Sequence, residues 1–213
     1  MNFNNKSKKT VTREYVEAIV TALILALIIR SFVIQAFKIP SGSMIPTLLI
    51  GDHLLVNKFI YGIEIPFTNK KILPFRNPER GDVVVFKYPE DTKRDFIKRV
   101  IGVGGDTIEI KNQALYVNNK LMSEPYIQHI DNSPLKGLAP RDNLGPIIVP
   151  ENKLFVMGDN RDHSHDSRFW GFVDLSLVRG EALIIYWSFD DNRKVLPFFN
   201  GWVRFDRIGR LIE

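Results

Sequence analysis

The chain has 213 residues, 45% of them hydrophobic and 25% charged, with a formal net charge of +5. That is enough apolar material for one domain with a real core and too much for a disordered chain; its 29 Lys and Arg are interleaved with 24 acids, which argues against a nucleic-acid binder. The absence of cysteine excludes a disulfide framework, a thiolate zinc site and a cysteine nucleophile, and leaves the compartment open.

Lys6, Lys8, Lys9 and Arg13 precede the first acid, and an apolar run from Ala18 to Ile29 follows. Alone that run falls short of the roughly 20 residues that span a bilayer. Extended over 16–36, with Glu17 and Arg30 near the two interfaces and Arg30 snorkelling to the headgroups, it reads as one transmembrane anchor behind a basic cytoplasmic segment, 1–15. Everything after Phe37 is then expected on the outer side. A cleaved secretory signal has the same basic-then-apolar order, but no clear small-x-small site follows the run.

Beyond Pro40 the texture changes to short β-type runs broken by Gly, Pro and Asn, with no convincing long helix. Strands are expected at His53–Lys58, Asp82–Tyr88, Asp95–Val103, Thr107–Ile110, Ala114–Val117, Lys120–Met122, Lys153–Met157 and Ala182–Trp187. Asn118-Asn119 between two of them predicts a tight hairpin turn, because asparagine tolerates positive φ. Ser123 to Pro150, rich in Pro, Gly, Asn and Asp, reads as loop or irregular β insertion. The class is all-β, an antiparallel sheet behind an N-terminal membrane helix. Near the C-terminus, Pro197 to Trp202 gathers three aromatics, which suits either a surface resting on lipid or a satellite core cluster.

Three stretches carry possible chemistry. Pro40-Ser-Gly-Ser-Met-Ile-Pro-Thr47 is a Ser-Gly-Ser turn stiffened by prolines; it presents Ser43 but does not fit the Gly-x-Ser-x-Gly elbow, and Ser-Gly pairs alone commonly just make turns. A serine nucleophile needs a base. His163 and His165 lie in the polar stretch Gly158 to Arg168, which invites a Ser-His-Asp or a metal reading; a calcium loop starting at Asp159 breaks at Arg161, and acids and arginines this dense usually pair with one another to pin a loop. The other base candidate is Lys98 in Asp95-Phe-Ile-Lys-Arg-Val-Ile-Gly102. Strand alternation puts it on the face of Phe96 and Val100, with Arg99 on the opposite face. A free lysine, with a pKa of about 10.4, is neutral in only about four molecules per ten thousand at pH 7, and burial lowers that pKa. Residue types alone leave both lysine and histidine open as the base.

Four blocks, PSGSMIPTL (Pro40 to Leu48), RGDVVVFKYP (Arg80 to Pro89), DFIKRVIGVGGD (Asp95 to Asp106) and MGDNRDHSHDSRFWG (Met157 to Gly171), resemble in order and character the successive boxes of bacterial type I signal peptidase. The resemblance implies a catalytic β core over 37–102 and 151–213, interrupted by a β-hairpin or loop insertion over 103–150. It implies Ser43 as nucleophile, Lys98 as general base, Ser41 adding a hydroxyl to an oxyanion hole with the Ser43 amide, and Ser164 orienting Lys98. Asp166 and Arg168 would form a supporting ion pair, with Asp159 and Arg99 as further scaffold. Phe37, Ile39, Met44, Leu48 and Ile97 would shape small pockets one and three residues before the cut. No metal and no cofactor are implied. The expected partners are signal peptides of exported preproteins and membrane lipid, the expected place the bacterial inner membrane, with the catalytic domain outside. The insertion is short beside larger members of the family, and one N-terminal span is visible where some have two. The readings set against this one are a Ser-Lys autoprotease of the repressor type, which would need a DNA-binding module, and a tethered β-domain without catalysis.

Overall fold

The β-branched and aromatic runs after Pro40 pair into one long antiparallel sheet and a smaller one beside it. The computed structural model describes residues 11–64, 71–72, 74–130, 140–196 and 199–212. In chain order its main elements are α1 (Val11–Phe32), β1 (Ile34–Lys38), β2 (Asp52–Asn57), β3 (Ile63–Glu64), β4 (Lys71–Ile72), β5 (Val83–Tyr88), β6 (Asp91–Val103), β7 (Thr107–Lys111), β8 (Ala114–Val117), β9 (Lys120–Leu121), β10 (Leu144–Ile148), β11 (Lys153–Met157), α2 (Ser167–Trp170), β12 (Val173–Asp174), β13 (Val178–Leu196) and β14 (Phe199–Val203).

The large sheet runs β1-β2-β13-β5-β6-β11-β12, with β14 paired to β13, every pairing antiparallel. Its middle is buried on both faces. Val83 and Val85 of β5 join Leu54, Val56 and Ile185 in one cluster, while Val84 and Phe86 join Val100, Leu154 and Val156 in another. A continuous apolar run such as VVVF therefore suits a strand covered on both sides. The small sheet, β10-β7-β8-β9, lies inside the stretch expected as an insertion and closes a third cluster with Ile101, Phe155 and Met157 of the large sheet.

Asn118 and Asn119 both take positive φ and make the predicted turn between β8 and β9. Asn112 and Gln113 make another between β7 and β8, which the sequence did not reveal. β10 also went unread. Its Gly145 has a φ of 85°, and a Cβ there would come within 2.5 Å of the Ile108 carbonyl oxygen, so a residue that looks like a loop marker is what lets the strand close on β7.

The helical part of the expected anchor ends at Phe32, not at residue 36; Ile34–Lys38 instead form β1 on β2, because strand pairing satisfies their backbone. The side chains of α1 from Arg13 to Leu27 are exposed. Among the described residues no helix is long and apolar enough to cross a membrane. Of the C-terminal aromatics, Trp202 is exposed, and Phe198 lies outside the described residues.

Candidate active site

Ser43 sits in the turn joining β1 to β2. Bonds from Ile45 N to Gly42 O (3.2 Å) and from Leu48 N to Met44 O (2.9 Å) hold that turn. Met44 and Leu48, both 0% exposed, plug it into the core beneath. Lys98 comes from β6, 55 residues away, and its Nζ donates to Ser43 Oγ at 2.8 Å and to the Ile97 carbonyl at 2.9 Å. The alternation argument places Lys98 correctly, since Nζ lies 5.4 Å from the Phe96 ring centroid. Lys98 is only 4% exposed, and burial, partly opposed by the fields of Asp166 and Asp159, lowers its pKa from the ordinary 10.5 to about 8.

Arg99, on the opposite face of β6, is 1% exposed and so deeper than Lys98. The reason is nonlocal. Its Nε and Nη2 bond both oxygens of buried Asp159 at 2.9 and 2.8 Å, Nη1 donates to Gly81 O, and the guanidinium stacks 4.0 Å over the Tyr126 ring. Thr47 Oγ1 also donates to Asp159, at 2.5 Å, tying the Ser43 turn to this pair. The second pair is Arg168 with Asp166, Nε to Oδ1 at 2.8 Å and Nη2 to Oδ2 at 2.9 Å, both residues buried, and Asp166 also accepts from Gly158 N. Each of the two carboxylates whose fields favour a charged Lys98 is thus paired with an arginine, and Arg168 also lowers the Lys98 pKa.

Around Ser43 and Lys98 opens a cleft of about 510 Å³ lined by Pro40, Ser41, residues 94–98, His163 and His165. A larger one of about 720 Å³, between Thr47, Tyr126 and Leu211, holds neither Ser43 nor Lys98. The profile of the signal peptidase, peptidase S26 family matches residues 12–187. The chain belongs to that family. It is 34% identical to signal peptidase I of Pseudomonas aeruginosa over 95% of this chain and 80% of that one. To signal peptidase I of Bacillus licheniformis it is 37% identical, over 88% of this chain and 95% of that one. The crystal structure of a signal peptidase I from Enterococcus faecalis is 31% identical in sequence, aligns to half of this chain and 97% of that one, and has a TM-score of 0.40. The chain is accordingly a serine endopeptidase.

Within this signal peptidase family member the structure brings together Ser43, Lys98, Ser41 and Ile97 at one cleft, with Asp159–Arg99 and Asp166–Arg168 as buried pairs behind it. Ser164 is buried nearby, but its Oγ has no hydrogen-bond partner, so no bond joins it to Lys98 in this conformation. A Cβ on Gly158 would come within 2.3 Å of Ser164 Oγ and 2.4 Å of Ser43 O, which requires glycine at that position. Of the five pocket residues, only Ile97 lines the cleft. Ile39, Met44 and Leu48 are at most 3% exposed and belong to a core cluster against which Phe37 and Ile97 also pack. The sequence reading missed Thr47, and also Asn160, which bonds both Gly42 O and Ser43 O; their position inside the two quoted blocks was the available signal.

Proposed function

We propose that this chain cleaves N-terminal signal peptides from exported preproteins, with Ser43 as nucleophile and Lys98 as general base, while α1 holds it at the membrane. The observation that carries the reading is the 2.8 Å contact between Ser43 Oγ and a lysine that is almost wholly buried. With a pKa of about 8, roughly one-tenth of Lys98 is neutral at pH 7, against about three in ten thousand at the ordinary 10.5. One Nζ hydrogen stays on the Ile97 carbonyl, and the freed lone pair faces Ser43. Nζ takes the Ser43 hydroxyl proton as Oγ attacks the scissile carbonyl; the ammonium then protonates the departing amine, leaving an acyl-enzyme. Neutral again, the same amine removes a proton from water, whose oxygen attacks the ester; as the signal peptide departs, Nζ returns that proton to Ser43 Oγ and both groups are restored. The Ser43 N–H and the Ser41 hydroxyl are the donors for the oxyanion, each contributing on the order of 3 kcal/mol. Small residues at the first and third positions before the cut follow from a floor filled by Ile39, Met44 and Leu48. For the anchor, the support is the apolar run within α1, whose side chains from Ala18 to Leu27 are all exposed.

Lys98→Arg tests the base. It keeps charge and approximate length but does not deprotonate. Cleavage of a purified preprotein should collapse as far as with Ser43→Ala, while His163→Ala and His165→Ala remain active. A folded Lys98→Arg with substantial activity, or loss confined to a histidine variant, overturns the mechanism.

A further inference from the structure

We infer that Asn160 is a positioning residue that aims the Ser43 amide at the oxyanion; this rests on the Ser43/Lys98 reading above. Asn160 follows β11, more than a hundred residues from the turn it holds. Its backbone N–H donates to Ser43 O at 3.1 Å, and its side-chain Nδ2 donates to Gly42 O, also at 3.1 Å. One buried residue therefore grips two successive carbonyls of the Ser-Gly-Ser turn. Gly42 O additionally accepts from Ile45 N, so two donors fix the direction of this oxygen.

The consequence follows from peptide geometry. Gly42 C=O and Ser43 N–H belong to one planar trans unit and point in opposite directions. Fixing the carbonyl on Asn160 thus turns the Ser43 N–H the other way, and that N–H has no acceptor among the described residues. An unpaired amide beside a nucleophilic Oγ is the geometry an oxyanion hole requires, and such a donor works only if its direction is set before the charge develops. The side chain is suited to nothing else nearby. Asn160 is 4% exposed, and its Oδ1 is buried with no hydrogen-bond partner, so this amide is held in the site for its donor alone. Only Nδ2 can donate to a carbonyl, which also fixes which way the amide is turned.

Asn160→Asp is nearly isosteric, keeps the backbone bond to Ser43 O, and replaces the donor to Gly42 O with an acceptor. The full chain in detergent is assayed with a preprotein carrying Ala-x-Ala before the cut, and with a peptide aldehyde of the same sequence. The aldehyde carbon accepts Ser43 Oγ, and its oxygen takes the hydroxyl proton and occupies the oxyanion site. The expected result is a fall in kcat of about 10- to 100-fold, with KM changed less than about twofold. Aldehyde affinity should fall by the same factor as kcat/KM. In Asn160→Ser, which adds no charge near Lys98, the pH midpoint of the rate should stay with that of the wild type. Asn160→Ser, which also gives up Nδ2 while keeping the backbone bond, carries the same comparison if Asn160→Asp does not fold. An unchanged kcat, a loss that lies wholly in KM, or an unaltered aldehyde affinity overturns the inference. Full activity of Lys98→Arg would instead remove the dyad, whereas loss of activity in Lys98→Arg together with full activity in a separate Asn160→Asp variant removes only the role of Asn160.

Discussion

Replacing Lys98 with Met should stabilise this protein while inactivating it, and the gain should depend on pH in a defined way. In the folded chain Lys98 titrates near 8, and in the unfolded chain near 10.5. Between those values the unfolded state binds a proton that the folded state does not, so stability rises with pH across this window, and below pH 8 the full penalty applies. The two values differ by enough to make that penalty about 3 kcal/mol at pH 7, falling to about 1 kcal/mol at pH 10. Methionine has similar reach and no charge. It removes the penalty but also the donor to Ser43 Oγ and to Ile97 O, at about 1 kcal/mol each. The net gain at pH 7 is then about 1 kcal/mol. The sharper quantity is the change in the difference between variant and wild type from pH 7 to pH 10, in which the lost hydrogen bonds and every other titrating group cancel. It should shift by about 2.5 kcal/mol in favour of the wild type. Urea unfolding of the full chain in detergent, followed by tryptophan fluorescence at the two pH values, measures it. A difference that does not vary with pH would show that Lys98 is not a desolvated amine and would remove the physical basis for its acting as a base.

Arg168 lowers the Lys98 pKa while Asp166 raises it. Arg168→Gln should therefore move the midpoint of the rising limb of kcat/KM against pH to higher pH, by on the order of one unit, cutting the rate at pH 7 about tenfold, whereas Arg168→Lys should hold it near 8; a midpoint unchanged in a folded Arg168→Gln contradicts this. Arg99→Leu leaves the buried Asp159 carboxylate uncompensated and should cost about 3–5 kcal/mol in urea unfolding, most of it recovered when Asp159→Leu is added; additive losses in the double variant would refute the pairing argument.

The strands that were legible in the sequence are those whose pattern is local. β8 and β11 have the expected limits, and β2, β5 and β7 are shifted by a residue at most at each end, because alternation or a solid β-branched run declares a strand without reference to its partner. β13 was read only over Ala182–Trp187, since Arg179-Gly180-Glu181 and Asp190-Asp191 look like breakers. Pairing of Val178 to Glu181 with β5, and of Phe189 and Asp190 with β14, makes strand of them. β1 was hidden in the apolar run of the presumed anchor for the same reason: its identity comes from β2. The site divides likewise. Lys98 facing Phe96 follows from a period of two, but its meeting with Ser43 is a contact across 55 residues that no spacing encodes, and the family resemblance supplied it. Nor could alternation announce that Arg99 is buried, because the carboxylate that makes burial tolerable lies 60 residues further on.

On the proposed mechanism the same free energy sets both the reactivity of Lys98 and its cost to the fold, and this limits how far the site can be tuned. Lowering the pKa from 10.5 to about 8 raises the neutral fraction at pH 7 about 300-fold, and the corresponding 3 kcal/mol or so is withdrawn from stability. A further drop to 6 would gain only about a factor of ten in neutral amine, since that fraction cannot exceed one. It would cost the fold only about 1 kcal/mol more at pH 7, but every unit would also weaken the amine as a base in the transition state. The optimum is therefore shallow and lies close to the operating pH. Of the two arginine–carboxylate pairs, Asp166–Arg168 bears on this directly, because Arg168 lowers the Lys98 pKa against the fields of Asp166 and Asp159. Buried ion pairs contribute little net stability in general. Behind this cleft, what they supply is a carboxylate scaffold that can hold the turns in place without charging the base.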